Sequence, residues 1–230
     1  MRLRHALALL LTLPSLLLAA GNTLTLKPGG VALTIPLPTG FVLLSQNDPR
    51  FLATRQFMPA NIALEAMLVD PKDAADPKAN FKRYHMVQTM PELNGMTIPP
   101  VQFKSMVDDF ERQMPALGSA AEQTVNQQMS NQVQKLNQQR TAKVEKLKLG
   151  ETRMSKLERQ TDRFTFQMWS RLQFKAGQKT MDATVYGVSS MINKRNKVVQ
   201  LLSYSLNGPA DEAWVRTTNT QWATTTLKQP

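Results

Sequence analysis

Apolar and polar residues alternate most regularly between Arg163 and Leu206. Phe164, Phe166, Met168, Leu172 and Phe174 fall on one parity, and Arg163, Thr165, Gln167, Arg171 and Gln173 on the other. Successive strand residues point to opposite faces, so this pattern predicts a half-buried β-strand. Lys175-Ala176-Gly177-Gln178-Lys179 is a polar link whose glycine suits a bend. Thr180 to Ile192 alternates again, and Asn193-Lys194-Arg195-Asn196-Lys197 forms a second polar link. Val198-Val199-Gln200-Leu201-Leu202-Ser203-Tyr204 is apolar on both parities at its start, as in a strand covered on both faces. Three strands in sequence with short links predict an antiparallel meander.

Upstream, Val31–Ile35, Phe41–Leu44, Phe51–Phe57, Ile62–Val69 and Phe81–Met90 read as further strands. They are split by Pro36-Leu37-Pro38-Thr39-Gly40, Asn47-Asp48-Pro49 and Pro59-Ala60-Asn61. Asp70 to Asn80 holds two Asp-Pro-Lys units and reads as a surface loop. At Pro99-Pro100 the period changes. Phe103, Met106, Val107, Phe110 and Met114 follow at helical spacing, an amphipathic helix opened by proline.

Past Pro115 and Gly118, ten of the seventeen residues from Gln123 to Gln139 are Asn or Gln. Val125, Met129, Val133 and Leu136, continued by Val144 and Leu147, make a stripe about one residue per turn wide, which predicts a helix with a narrow apolar seam. The helical insert spans about residues 116–149, and Lys148 to Gln160 fits either its end or a strand. After Asn207-Gly208-Pro209, the acidic Asp211 and Glu212 suit a first helical turn. Trp214, Val215, Thr218 and Trp222 then share one face of a closing helix, with Thr224-Thr225-Thr226 expected to fray its end.

Several short strands, a long helical insert and a closing helix predict an α+β fold. The expected arrangement is an antiparallel sheet with helices packed on one face and a long Gln-rich helical insert. The opening turn Ile35-Pro36-Leu37-Pro38-Thr39-Gly40-Phe41, with a closing strand and helix, resembles the PsbP-like domains, which are exported α+β proteins. The resemblance touches the first and last thirds of the chain, and the Gln-rich insert departs from it. It implies an accessory or binding role and carries no catalytic or ligand motif.

Composition adds a compartment. Arg2, Arg4 and His5 precede an apolar run from Ala6 to Leu18, and Ala19-Ala20-Gly21 offers a small-residue cleavage site, so residues 1–21 are expected to be a secretory signal peptide. The apolar run is shorter than the ~20 residues of a spanning helix, so no transmembrane segment is expected after cleavage. Residues 22–230 are then one α+β domain. The chain has no cysteine, so neither a disulfide scaffold nor a lipid anchor on cysteine at the cleavage point is available. A periplasmic or secreted bacterial protein fits. Of 28 Lys and Arg, losing Arg2 and Arg4 leaves 26 against 17 Asp and Glu, a formal charge of +9 that favours anionic partners.

Catalytic and metal chemistry find little support. His85 is the one histidine after residue 21, and neither Gly-x-Ser-x-Gly nor Ser-x-x-Lys occurs. Asp108, Asp109 and Glu111 suit a solvated helix face better than a carboxylate pair. Asp70, Asp73 and Asp76 lack the glycine and distal Glu of a calcium loop. His85, Met86, Met90 and Met96 read as core filling rather than copper ligands. No cofactor or metal is expected.

Charge stands above background: nine basic residues fall between Asn131 and Arg163 against four acids. The first functional expectation is a non-catalytic envelope module that binds a protein partner through its Gln-rich, basic helix. Met129, Val133 and Leu136 would form the seam, and Lys143, Lys146, Lys148, Arg153 and Lys156 its basic continuation. The alternative is peripheral attachment to anionic membrane or lipopolysaccharide surfaces through those basic residues; a hydrolase using His85 is the third. Nucleic acid is not an expected partner, because no aromatics interleave with the basic residues.

Overall fold

The computed structural model describes residues 22–56, 58–139, 146–176 and 179–230, with side chains except at 119–121, 124, 125, 128, 129, 131–139, 146, 147, 174, 176 and 179–181. The predicted signal peptide, residues 1–21, lies outside the described residues. A hairpin of β1 (Thr23–Leu26) and β2 (Leu33–Pro36) opens the fold. The main sheet contains β3 (Val42–Leu43), β4 (Ala63–Val69), β5 (Arg83–Thr89), β6 (Lys146–Arg159), β7 (Arg163–Ala176), β8 (Lys179–Lys194) and β9 (Lys197–Ser205). Its strand order is β3-β4-β5-β9-β8-β7-β6, antiparallel throughout, with β6 on one edge. The helices are α1 (Pro49–Gln56), α2 (Pro71–Ala75), α3 (Pro91–Asn94), α4 (Pro100–Gln139) and α5 (Glu212–Lys228).

The α+β class and the meander stand. The second link is tighter than the polar run suggested. β8 continues to Lys194 and β9 begins at Lys197, leaving Arg195 and Asn196 at φ of 53° and 60°, the signature of a two-residue hairpin turn.

Register divides the sheet into two faces. Ala66, Val87, Leu201, Ser190 and Thr165 lie in one cross-strand row, and Met67, Met86, Leu202, Ser189 and Phe166 in a row on the opposite face. The first face is packed by α5 and the β1–β2 hairpin, through Leu26, Leu33, Ile35, Trp222 and Ala223. The second is packed by α4 through Phe103, Val107 and Met114 against Phe164 and Phe166. Helices therefore lie on both faces, not on one. Val199, Leu201 and Leu202 are buried because β9 sits in mid-sheet between the two layers, as its two-parity apolar run predicts.

Three boundaries differ from the sequence expectation. Phe51–Phe57, expected as a strand, is helical through Gln56, with Phe57 outside the described residues. Asp48 accepts from the Arg50 amide at 2.8 Å and Pro49 occupies the first helical position, a start signal that outweighs local β propensity. The amphipathic helix does not end near Pro115. Pro115 is solvent-exposed, so the bond its missing N–H cannot make is lost on the wet side of α4. Gly118, which resembles a stop, is instead a close-approach position: a Cβ there would lie 2.6 Å from the Thr152 carbonyl oxygen of β6. Finally, Lys146–Arg159 is a strand, so the helical insert does not reach residue 149.

At the C-terminus, Trp222 Nε1 donates to Pro36 O at 2.7 Å and ties α5 to the hairpin. The threonine run does not fray. Thr226 is buried, and Lys194 Nζ donates to the carbonyls of Thr226 and Gln229 at 2.6 and 2.7 Å, satisfying the helix end. Among the described residues, no helix is long and apolar enough to cross a membrane.

Candidate functional site

The basic segment is an edge strand, not a continuation of the helix, and this redistributes the residues the sequence singled out. Met129, Val133 and Leu136 lie on α4, but their side chains, like that of Lys146, are outside the described set, and Lys143 is outside the described residues altogether. Lys148, Arg153 and Lys156 lie on β6.

Two bulges in β6, one between Leu149 and Thr152 and one between Lys156 and Glu158, decide which way these side chains face. Each inserts one extra residue, and a one-residue slip reverses the facing of everything beyond it. Lys148 and Arg153 differ in sequence parity, yet they pair with Gln173 and Trp169 and so share the α5 face. Lys156 pairs with Phe166 on the α4 face. There its Nζ meets Glu111 of α4 at 2.6 Å, while Arg159 reaches both Glu111 and Asp108 at 2.6 Å. Lys156 foremost, then Arg159, holds the Glu111 carboxyl below its usual range; Arg159 foremost, then Lys104, does the same for Asp108. Arg163 is buried and donates to Thr224 Oγ1 at 2.6 Å and Glu158 at 2.7 Å. Lys156, Arg159 and Arg163 therefore fasten helices to the sheet.

What remains faces one uncovered area. The hairpin and α5 pack the inner half of their face, while the outer half, on β6, β7 and the first part of β8, has no layer over it among the described residues. One cross-strand row there reads Arg153, Trp169, Tyr186, running on to the buried Ser205 of β9. The guanidinium carbons of Arg153 and Arg171 stand 5.7 and 5.8 Å from the Trp169 ring centroid. Lys148, Arg171 and Lys175 lie on the same face by register and are exposed. Among the described residues, Lys148 and Arg171 have no ion pair, whereas Arg153 Nε donates to Glu151 at 2.6 Å.

Between this row and the start of α5 is a cavity of about 410 Å³ lined by Arg153, Ser155, Gln167, Trp169, Tyr186 and Glu212. Arg216 pairs with Glu212 at 3.0 Å and donates to Gln167 Oε1 at 3.0 and 2.5 Å, and Gln167 Nε2 in turn donates to Ser155 Oγ at 2.8 Å. These contacts fix the side chains around the cavity. Sequence reasoning missed Trp169, Tyr186 and Arg171 as a group. The available signal was parity: Trp169 is a large aromatic on the polar side of the β7 alternation.

The other candidates serve structure. His85 Nδ1 lies 2.8 Å from Ser203 Oγ, but both residues are fully buried, with the imidazole against Phe41, Trp214 and Trp222 at centroid distances of 4.3, 5.6 and 5.3 Å. Burial pushes the His85 pKa down to about 3, and Nε2 has no partner. This pair presents no nucleophile to solvent. Met86 packs on the opposite face of β5 from His85, so the two do not converge on a ligand. Asp70 and Asp76 accept from the backbone amides of Lys72 and Lys78, and Arg50 Nη1 donates to the Asp73 and Asp76 carbonyls at 2.8 and 2.7 Å. An arginine thus occupies the centre of that loop. Among the described residues, no group of three or more His, Asp or Glu gathers in a metal-binding arrangement.

Compared with known proteins, the chain matches no family model, no curated protein and no solved structure.

Proposed function

We propose that this chain is a non-catalytic, exported binding module of the bacterial envelope that attaches to anionic membrane surfaces through the uncovered outer half of its sheet. The observation that carries this reading is the row Arg153, Trp169, Tyr186 with Lys148 and Arg171 beside it, all on one face with nothing packed over them among the described residues. Aromatic rings that are half-buried and amphipathic suit the headgroup layer, and basic side chains beside them add about 1 kcal/mol each near an anionic leaflet. The resemblance of the opening turn and closing helix to PsbP-like exported domains, with the accessory role it implies, supports the same reading. The helix-seam alternative is less favoured, because α4 is committed to the sheet from Phe103 as far as Asn126.

Co-sedimentation with phosphatidylglycerol and phosphatidylcholine vesicles tests the reading. Wild type is expected on phosphatidylglycerol alone, less so as salt rises. Lys148→Gln, Arg153→Gln and Arg171→Gln together are expected to weaken binding roughly a hundredfold, at about 1 kcal/mol per charge. Lys156→Gln, whose partner is Glu111, is expected to leave it nearly unchanged. Equal binding to both vesicles, or an unaffected triple variant, refutes the reading.

A further inference from the structure

We infer that the cavity beside Trp169 is a subsite for a hexose phosphate, the chemistry of a phosphorylated glycolipid headgroup; this rests on the reading that the face meets the envelope surface, and names what it grips there. The cavity is polarised along β7. At its inner end stand Gln167, Ser155 and the Glu212 carboxylate, with Trp169 and, across the strand pair, Arg153 toward the outer end; Arg171 lies just beyond the lining, 5.8 Å from the Trp169 ring centroid. Alternate residues of one strand are about 7 Å apart, the length of one pyranose ring with its substituent.

Each end matches a different part of such a ligand. The indole is a flat platform for the apolar face of a sugar ring, and both guanidinium groups stand near the ~6 Å limit of cation–π contact; Arg171 has no ion pair among the described residues, and Arg153, held by Glu151 through Nε, keeps its terminal N–H groups for a ligand. Tyr186 makes no hydrogen bond with any described residue, and Ser155 Oγ, already accepting from Gln167, retains its proton to donate. Glu212, held by Arg216, accepts from sugar hydroxyls. A site for phosphate alone gains nothing from a carboxylate wall, which repels it, and an apolar ligand leaves these groups unpaired. A sugar with its phosphate toward Arg171 and Arg153 satisfies both ends, since the planar guanidinium grips phosphate with paired donors. The cavity volume of about 410 Å³ is in the range of small-ligand sites.

The test has a soluble arm and a vesicle arm. In calorimetric titrations of the full chain, glucose 1-phosphate is expected to bind at least about tenfold tighter than glucose or inorganic phosphate. Trp169→Ala is expected to cost about tenfold, as the loss of one stacking platform. Glu212→Gln, an isosteric change at a half-exposed position, is expected to lower the preference over inorganic phosphate. In the vesicle arm, phosphatidylcholine vesicles carrying lipid A are compared with vesicles carrying phosphatidylglycerol at equal surface charge. A lipid A preference that disappears in Trp169→Ala and Glu212→Gln supports a headgroup site. Equal affinity for glucose 1-phosphate and inorganic phosphate, with phosphatidylglycerol binding intact, overturns this inference and leaves the membrane reading standing. Absence of binding in both arms overturns both.

Discussion

Acidification is expected to destabilise this protein through a single side chain before any carboxylate takes part. His85 is the one histidine after residue 21, fully buried between Phe41, Trp214 and Trp222, with Nε2 unpartnered and Nδ1 on Ser203. Among the described residues, no carboxylate bonds to the ring. Arg83 is stacked on the neighbouring Trp214 at 4.6 Å and paired with Asp211 at 2.5 Å, and burial alone lowers the His85 pKa.

With the folded pKa near 3 and an unfolded value near 6.5, the unfolded chain binds the extra proton between those limits. Stability from the neutral imidazole is therefore complete above about pH 6.5 and falls by about 1.4 kcal/mol per pH unit below it, some 2 kcal/mol by pH 5. The carboxylates lowered by ion pairs, Asp48, Asp108, Glu111 and Asp211, act in the same direction but only below about pH 5, where unfolded carboxylates begin to protonate. Urea unfolding at pH 7 and pH 5 measures the term in isolation. His85→Phe keeps an aromatic ring in the slot and is expected to flatten the dependence, whatever its own cost at pH 7. A wild type that loses under about 0.5 kcal/mol, or a His85→Phe variant with an unchanged slope, refutes the reasoning.

Two further predictions concern how α4 lies on the edge strand. Gly118→Ala, which raises helix propensity by about 1 kcal/mol, is nonetheless expected to destabilise by roughly 2 kcal/mol in urea unfolding, because the new methyl meets the Thr152 carbonyl oxygen at 2.6 Å; a more stable variant contradicts the close approach. Asn126 donates to Leu149 O at 2.8 Å and accepts from Leu149 N at 2.7 Å, closing an edge position of β6 with one amide. Asn126→Ala is expected to cost about 1–2 kcal/mol and to increase self-association in light scattering, since an uncovered edge recruits other strands.

Much of the fold was legible because the period-2 runs in β7 and β8 lie on a sheet in which burial enforces alternation, and because β9, covered on both faces, is apolar on both parities. The edge strand was not. Its two bulges shift the parity of Lys146–Arg159 twice, so the pattern matches neither a strand nor a helix. Pro115 and Gly118 look like stop signals, yet a proline on the solvent side and a glycine against a carbonyl are both compatible with one continuous helix. The candidate face depended on the same bulge, since only the extra residue beyond Leu149 brings Lys148 and Arg153 to one side. Of the basic residues named from sequence, Lys156 proved to be a fastening for α4 because Glu111 stands opposite it, a pairing across 45 residues that local pattern cannot contain.

The central claim, attachment to an anionic surface through the uncovered sheet face, is tested most directly by co-sedimenting the wild-type protein with phosphatidylglycerol and phosphatidylcholine vesicles across a salt series. Binding restricted to phosphatidylglycerol, falling steadily with salt and lost on neutralising Lys148, Arg153 and Arg171, is the expected result. Binding that ignores headgroup charge, or that survives the triple substitution, contradicts it.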